Sequence, residues 1–126
     1  KKKNEIEGGY MTIGEVSKKY QLSTDTLRYY EKIGLLNPVP KENGKRNYQD
    51  DDLHQLEFIL CMKSAGLMLE DIIHFIALSK EGDKTAPERL QILLHQQEKL
   101  KQELIEKQKT LDYLNYKIDL YRKKVE

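Results

Sequence analysis

Hydrogen-bonding side chains gather in one short stretch of the chain, TDTLRY, at residues 24–29. Short hydroxyl and carboxylate groups can meet the edges of nucleobases, and an arginine or a tyrosine can hold a phosphate. Successive helical residues point about 100° apart, so Arg28 and its neighbours Tyr29 and Tyr30 cannot all face one core. At least one of them must face solvent or a partner. The candidate contacts here are Thr24, Asp25, Thr26, Arg28 and Tyr29.

A second basic cluster follows a predicted hairpin. The pair Asn43-Gly44 favours a tight two-residue turn, and Lys45, Arg46 and Tyr48 come directly after it. A small basic hairpin of this kind beside a pair of helices is called a wing, and its side chains are suited to touching phosphate. The basic N-terminal third supports an anionic partner, since positions 1–48 hold ten basic and six acidic residues, a net charge of +4. The alternative is a plain helical hairpin with Arg28 in a surface ion pair with Glu31 or Glu15.

Two short helices must position the first cluster. The sequence Thr12-Ile13-Gly14-Glu15 is a capping box that predicts a helix over 13–20. Ser23 is a second N-cap, and the helix after it should run over about 24–33 and end at Gly34. Two short helices joined by a tight turn form a helix-turn-helix.

Three further helices are predicted after the hairpin. Asp50, Asp51 and Asp52 open the third, which Gly66 ends, and the fourth covers about 69–80. A capping box with proline, residues 85–88, starts the last helix. Its apolar positions recur every three or four residues from 90 to 125, interrupted by Gln97 and Lys107, which predicts a coiled coil rather than packing on its own domain. The dimerisation residues expected on this seam are Leu93, Leu100, Leu104, Leu111, Leu114 and Ile118.

Composition excludes several classes of protein. No apolar run is long enough to span a bilayer, and residues 1–10 lack the apolar core of a signal peptide, so they are expected to form a disordered leader. The single cysteine, Cys61, excludes an internal disulfide and suits a bacterial cytoplasm. No nucleophile–base pair, phosphate-binding loop or metal-ligand spacing indicates an enzyme, a cofactor or a metal site, since the three histidines are dispersed.

From Met11 to Ile72 the sequence resembles the MerR family of bacterial transcription regulators. The resemblance rests on the segments IGEV, STDTLRYYEKIGLL, NGKRNY, DLHQLEFI and AGLMLEDI, in order and at family spacing. It implies a mainly α fold: a winged helix-turn-helix domain, residues 11–82, followed by a dimerisation helix, residues 85–126, in an antiparallel coiled coil. Such regulators bend and untwist promoter DNA so that RNA polymerase can use it.

The resemblance also implies residue roles. Arg28 and Tyr29 on the second helix, with Arg46 and Tyr48 on the wing, would hold the DNA backbone, and Tyr30 would pack inward. Four positions depart from the family pattern. Lys45 replaces a usual tyrosine, Asp25 stands where relatives are often basic, and Gln49 and Met68 replace the usual Ser/Thr caps of the third and fourth helices.

Cys61 has two interpretations. A free cysteine is usually a small buried hydrophobe, and this one flanks the predicted core stripe beside Phe58 and Ala65. However, its surroundings are similar to those of short, single-cysteine MerR regulators that respond to aldehydes and related electrophiles. A thiolate adds to soft electrophiles, although the acidic Glu57 nearby would slow that reaction.

We therefore expect a cytoplasmic, homodimeric regulator that binds double-stranded promoter DNA, works with RNA polymerase and activates detoxification genes through Cys61. Two alternatives stay open. The effector could be another small molecule, or none, with Cys61 purely structural. The chain could instead be a coiled-coil adaptor that binds proteins through its N-terminal domain.

Overall fold

The computed structural model describes residues 10–126 and is mainly α-helical. The elements in chain order are β1 (Tyr10–Met11), α1 (Ile13–Tyr20), α2 (Thr24–Lys32), β2 (Lys41–Glu42), β3 (Lys45–Arg46), β4 (Tyr48–Gln49), α3 (Asp50–Ser64), α4 (Leu69–Ser79), a 3₁₀ turn (Asp83–Thr85) and α5 (Ala86–Val125). The predicted leader lies outside the described residues except for Tyr10, which pairs with Gln49 across β1 and β4. None of the helices within 10–126 is both long and apolar enough to cross a membrane.

The helix-turn-helix forms as its capping residues predict. The Thr12 hydroxyl accepts from the Glu15 amide at 3.1 Å, and the Glu15 carboxylate accepts from the Thr12 amide at 2.8 Å. Gln21 ends α1 in the left-handed region with φ 56°, the conformation for which glycine is more common at this turn. Ser23 then caps α2 by accepting from the Thr26 amide at 3.0 Å.

The predicted hairpin is a two-stranded antiparallel ribbon, in which Lys41 lies opposite Arg46 and Glu42 opposite Lys45. Both turn residues have positive φ, 54° at Asn43 and 77° at Gly44, as a turn of this length in a right-twisted ribbon requires. We call residues 41–46 the wing.

The core lies where α1, α2, α3 and α4 meet. Fully buried side chains come from these four helices, from the segment that follows α2 and from β4. They are Val16, Leu27, Leu35, Leu36, Tyr48, Leu53, Leu56, Ile59 and Ile72. Removing such side chains from water is the main stabilising term for a unit of this size.

The last helix, α5, is 40 residues long, about 60 Å at 1.5 Å per residue. Its first turns touch α4 and the α3–α4 turn, where buried Gln96 donates to the Ala65 carbonyl at 2.7 Å. The helix starts where predicted, but the capping box was wrong. The Thr85 hydroxyl donates to the Leu78 carbonyl at 2.6 Å and does not cap the helix, because burial of Thr85 under α4 supplies that closer acceptor.

Candidate nucleic-acid interface

The candidate contacts on α2 lie at its exposed N-terminal end. Asp25 and Arg28 are exposed, and Thr24 and Thr26 are partly buried. Arg28 Nη1 lies 3.1 Å from Asp25 Oδ1 and 3.3 Å from Thr24 Oγ1. Arg28 therefore forms a surface ion pair, as the plain helical hairpin interpretation required. Its partner is Asp25, however, and not Glu31 or Glu15.

This pair leaves Arg28 available to a ligand. Its side chain is 49% exposed and that of Asp25 is 95% exposed. Exposed ion pairs of this kind stabilise a protein by at most about 1 kcal/mol, so a phosphate can displace the carboxylate at little cost.

The two adjacent tyrosines divide as expected. Tyr29 is 51% exposed, and Tyr30 is buried. The Tyr30 hydroxyl accepts from Lys63 Nζ at 2.7 Å, which ties α2 to α3. Tyr29 therefore remains a candidate for contact with the DNA backbone, and Tyr30 belongs to the core.

The wing presents two exposed lysines, Lys41 and Lys45. Arg46, in contrast, bonds from Nε to Glu31 Oε1 at 2.8 Å, with side-chain exposures of 19% and 15%. This contact brings β3 against α2 and so places the wing beside the candidate contacts of the helix. Sequence reasoning missed it, because it named Glu31 only as a partner for Arg28.

The assignment of Tyr48 to the DNA backbone was wrong. Its side chain is 0% exposed and packs in the core, so it presents no surface to a ligand. Burial raises the pKa of Tyr48 to about 12. Its position in β4, antiparallel to β1, turns the phenol inward, and the sequence pattern of so short a strand could not show which face would be buried.

Cys61 is exposed on α3, so the interpretation of it as a small buried hydrophobe was wrong. Phe58 and Ala65, its expected neighbours, are only partly buried. The Cys61 carbonyl accepts from the Ala65 amide at 2.9 Å in the last turn of the helix. In the single chain Cys61 is therefore open to solvent.

The described part of the chain contains no group of three or more His, Cys, Asp or Glu side chains placed to hold a metal ion. His74 does contact Glu88, at 3.5 Å between Nε2 and Oε2, and His95 lines the same groove between α4 and α5. His74 and His95, which are far apart in the sequence, thus line one groove.

The predicted seam on α5 is largely uncovered in the single chain. Leu100 is partly buried, whereas the other five expected dimerisation residues are exposed: Leu93, Leu104, Leu111, Leu114 and Ile118. The contacts of α5 with its own domain use Arg89, Ile92 and Gln96 instead, a face next to the seam.

Comparison with known proteins agrees with this architecture. Residues 11–78 match the MerR HTH family regulatory proteins, and residues 53–116 match the region described as MerR, DNA binding. The chain is 43% identical to the HTH-type transcriptional regulator AdhR of Bacillus subtilis over 91 residues, 71% of this chain and 65% of that protein. The matched part thus spans just under two thirds of the relative.

Solved structures give the same result over most of the chain. HiNmlR, a MerR family regulator lacking the sensor domain and crystallised with promoter DNA, is 36% identical with a TM-score of 0.82, covering 90% of this chain and 91% of that one. A MerR family regulator from Bacillus thuringiensis is 35% identical with a TM-score of 0.76, covering 86% and 96%. The chain therefore belongs to the MerR family and is a DNA-binding transcription regulator, not an enzyme.

Proposed function

We propose that two copies of the chain pair through an antiparallel coiled coil of α5 and bind an inverted-repeat operator in a promoter. In each copy the first turns of α2 would enter the major groove, and the wing would follow the phosphate backbone. The observation that carries this proposal is the Arg46–Glu31 contact, which brings the wing beside the exposed end of α2. The relative HiNmlR, which matches the chain over nearly its full length, was crystallised on promoter DNA.

The residue roles follow from exposure and charge. Thr24 and Thr26 would meet base edges, and Arg28, Tyr29 and Lys45 would contact phosphates and thereby fix the register of the protein on the duplex. Asp25, the carboxylate that Arg28 would leave for a phosphate, would make no contact of its own with the DNA. The exposed Lys41 joins this set as a contact that the sequence alone did not single out.

The coiled coil supports promoter distortion. An antiparallel pair of α5 helices about 60 Å long would hold two DNA-binding units at a fixed separation and twist. A fixed spacing forces the DNA between the half-sites to bend or untwist, which is how the family resemblance relates binding to activation by RNA polymerase. The chain would act in the bacterial cytoplasm, where promoter DNA is found.

We further propose that Cys61 is the effector site. The exposed thiol would first lose its proton to solvent, and the resulting thiolate would add to the carbonyl carbon of an aldehyde. The carbon–sulfur bond forms as the carbonyl π bond breaks, and the carbonyl oxygen takes up a proton from solvent to give a hemithioacetal. Cys61 lies one turn before Ala65, whose carbonyl accepts from Gln96 of α5. An adduct there is placed to alter the contact between α3 and the dimerisation helix, and so the geometry of the two DNA-binding units.

Gel shifts with genomic fragments test the binding proposal. The wild-type chain should bind some fragments at low salt and lose affinity steeply as salt rises. Arg28→Ala should weaken binding by about tenfold, since one charge-assisted phosphate contact stabilises a complex by about 1–2 kcal/mol. Lys109→Ala, on the exposed surface of α5, is the matched control and should bind normally. Absence of binding to any fragment would leave the protein-binding adaptor as the better interpretation.

A reporter driven by a bound promoter tests the effector proposal. Cys61→Ser should abolish induction by an aldehyde while leaving operator affinity unchanged, because the hydroxyl is a far weaker nucleophile on an equally exposed side chain. Ser64→Ala, in the same last turn of α3, controls for local perturbation and should leave induction intact. If Cys61→Ser retains full induction, the effector acts elsewhere and Cys61 is not the sensor.

A further inference from the structure

Two arginine–carboxylate pairs lie on the side of the molecule assigned to DNA, and they differ in burial. Asp25 and Arg28 are joined at 3.1 Å within α2, with exposures of 95% and 49%. Glu31 and Arg46 are joined at 2.8 Å between α2 and β3, with exposures of 15% and 19%. Both carboxylates belong to the same helix, and each holds an arginine to which the family resemblance gives a contact with the DNA backbone.

Burial changes what a carboxylate does to its partner. In the exposed pair water and salt screen the attraction, and the carboxylate near the DNA mainly repels phosphate. In the enclosed pair the guanidinium has lost most of its water and depends on Glu31 for charge compensation and for position. Removing the enclosed carboxylate therefore costs more than removing the exposed one.

The geometry of the enclosed pair leaves part of the arginine free. Glu31 accepts from Nε, and within residues 10–126 no bond to the terminal nitrogens of Arg46 is formed. A guanidinium has five N–H donors in a rigid fork, so one edge can be held by protein while another meets a phosphate.

The wing also depends on this contact for its orientation. Each of its strands has only two residues, and a ribbon so short is marginal in water without support. The Asn47 amide closes its base by donating to the Pro40 carbonyl at 2.8 Å. The Arg46–Glu31 pair then fixes the ribbon against α2.

We propose that Glu31 is a positioning residue for DNA binding: it holds Arg46 and the wing against α2 so that the wing cations and the helix contact the same stretch of backbone. This inference rests on the proposed binding mode and adds a residue that favours DNA binding although it carries the same charge as DNA. It separates Glu31 from Asp25, which has no such role.

A matched pair of substitutions tests it. Glu31→Gln and Asp25→Asn each remove one negative charge from α2 without changing side-chain size. Electrostatics alone predicts tighter binding for both. Positioning predicts that Asp25→Asn binds equally or more tightly, whereas Glu31→Gln binds about tenfold more weakly, as expected when one member of an enclosed pair is lost.

The probe is the labelled genomic duplex that the wild-type chain binds most tightly, measured by fluorescence anisotropy at several salt concentrations. Loss of a positioned phosphate contact should lower the slope of log affinity against log salt by about 1 for Glu31→Gln. Arg46→Lys should behave like Glu31→Gln, because an ammonium keeps the charge but lacks the fork. Circular dichroism and thermal melts would verify that each variant is folded at the assay temperature.

The outcomes are distinct. Weaker binding and a smaller slope for Glu31→Gln, beside unchanged or tighter binding for Asp25→Asn, support the inference. Tighter binding by both variants overturns it, as does weaker binding of Glu31→Gln with an unchanged slope. Failure of the wild-type chain to bind any duplex would instead contradict the proposed function.

Discussion

The N-terminal unit, which runs from β1 to α4 (residues 10–79), and the helix α5 bury apolar side chains to very different extents. Leu53, Leu56 and Ile72 in the unit are 0% exposed, whereas Leu104 and Leu114 on α5 are 62% and 53% exposed. The unit thus buries its apolar side chains within a single chain. The seam of α5 does not, and a regular apolar stripe left in water is the usual mark of a missing helical partner.

The polar contacts differ in the same way. In the unit they join elements far apart in sequence, as in the bond from the Tyr20 hydroxyl to Glu57 at 2.7 Å and the bond from Lys63 to Tyr30. Beyond residue 97 the polar side-chain contacts of α5 span three or four residues, such as Gln108 to Asp112 at 2.8 Å. Tertiary contacts fix the unit, whereas the far end of α5 is held only by contacts within the helix itself.

The largest effect should come from a charge in the seam. Leu104→Asp would bury two carboxylates in the proposed dimer, one from each copy, and should raise the dimer dissociation constant by at least about a thousandfold. The next residue, Ile105, is also apolar and exposed but lies off the seam, so Ile105→Asp is the control and should stay dimeric. Sedimentation velocity over a range of concentrations distinguishes the two. Equal behaviour of both variants would contradict the predicted seam.

Truncation of one leucine in each region should separate two kinds of stability. Leu56→Ala leaves a cavity in the unit and should lower the free energy of unfolding by about 2–5 kcal/mol at any protein concentration. Leu114→Ala removes a side chain that is exposed in the single chain, so its cost should appear only when dimers form. Urea unfolding at two concentrations measures both. A concentration-independent loss for Leu114→Ala would contradict the comparison.

A substitution at the contact between α5 and the α3–α4 turn should have a smaller effect. Gly66 has φ +100°, and a Cβ there would lie 3.0 Å from the amide nitrogen of Gln96. Gly66→Ala should therefore destabilise the chain by about 1–3 kcal/mol, from backbone strain plus displacement of Gln96. Gly34 has φ +83° with nothing within 4 Å of the added Cβ, so Gly34→Ala reports strain alone.

The control for the Gln96 contribution is a thermal-melt double-mutant cycle. In a Gln96→Ala background the cost of Gly66→Ala should fall to that of Gly34→Ala, because the crowded amide is absent. If the free-energy cost of Gly66→Ala is unchanged in that background, a Cβ at residue 66 does not crowd the Gln96 side chain. The contact between α5 and the α3–α4 turn is then looser than the 2.7 Å hydrogen bond indicates.

The sequence predicted what local rules decide. Capping residues and glycines set the bounds of α1 and α2, and the Asn43-Gly44 pair set the wing. Thr85 did not follow its capping pattern because a buried carbonyl competed for its hydroxyl. The Arg46–Glu31 pair joins residues 15 positions apart and has no periodic signal in the sequence.

Cys61 shows how a small error in a helical face matters. The sequence predicted a core stripe formed by Leu53, Leu56, Leu60 and Leu67, and Cys61 lies about 80° from Leu53 on the helix. In the structure Leu53 and Leu56 are buried together with Asp52 and Ile59, whereas Leu60 is only partly buried, so the centre of the buried face lies near Leu56. Cys61 follows Leu56 by five residues, about 140° around the helix, and so lies on the exposed side. Only the packing of α3 against its neighbours could show this shift.

The smallest expected effect concerns the enclosed carboxylate Asp52 at the start of α3. Burial raises its pKa above the ordinary value of 3.8, although the hydrogen bond from the Gln49 amide at 2.9 Å opposes the shift. A raised pKa means that the folded chain binds this proton more tightly than the unfolded chain does. The stabilisation from protonated Asp52 is therefore complete below pH 3.8 and is lost as the pH rises through the raised pKa.

Asp52→Asn removes this titration while keeping an acceptor for the Gln49 amide. The free energy of unfolding of the variant should therefore rise relative to the wild type as the pH increases from about 3.5 to 7, and the difference should then level off. Urea titrations at intervals of half a pH unit measure this curve. A difference that shrinks with pH would mean that the Gln49 bond and the helix N-terminus favour the charged form more than burial opposes it. In that case the pKa of Asp52 would be set by the local hydrogen bonds at the start of α3 and not by the burial that distinguishes the N-terminal unit from α5.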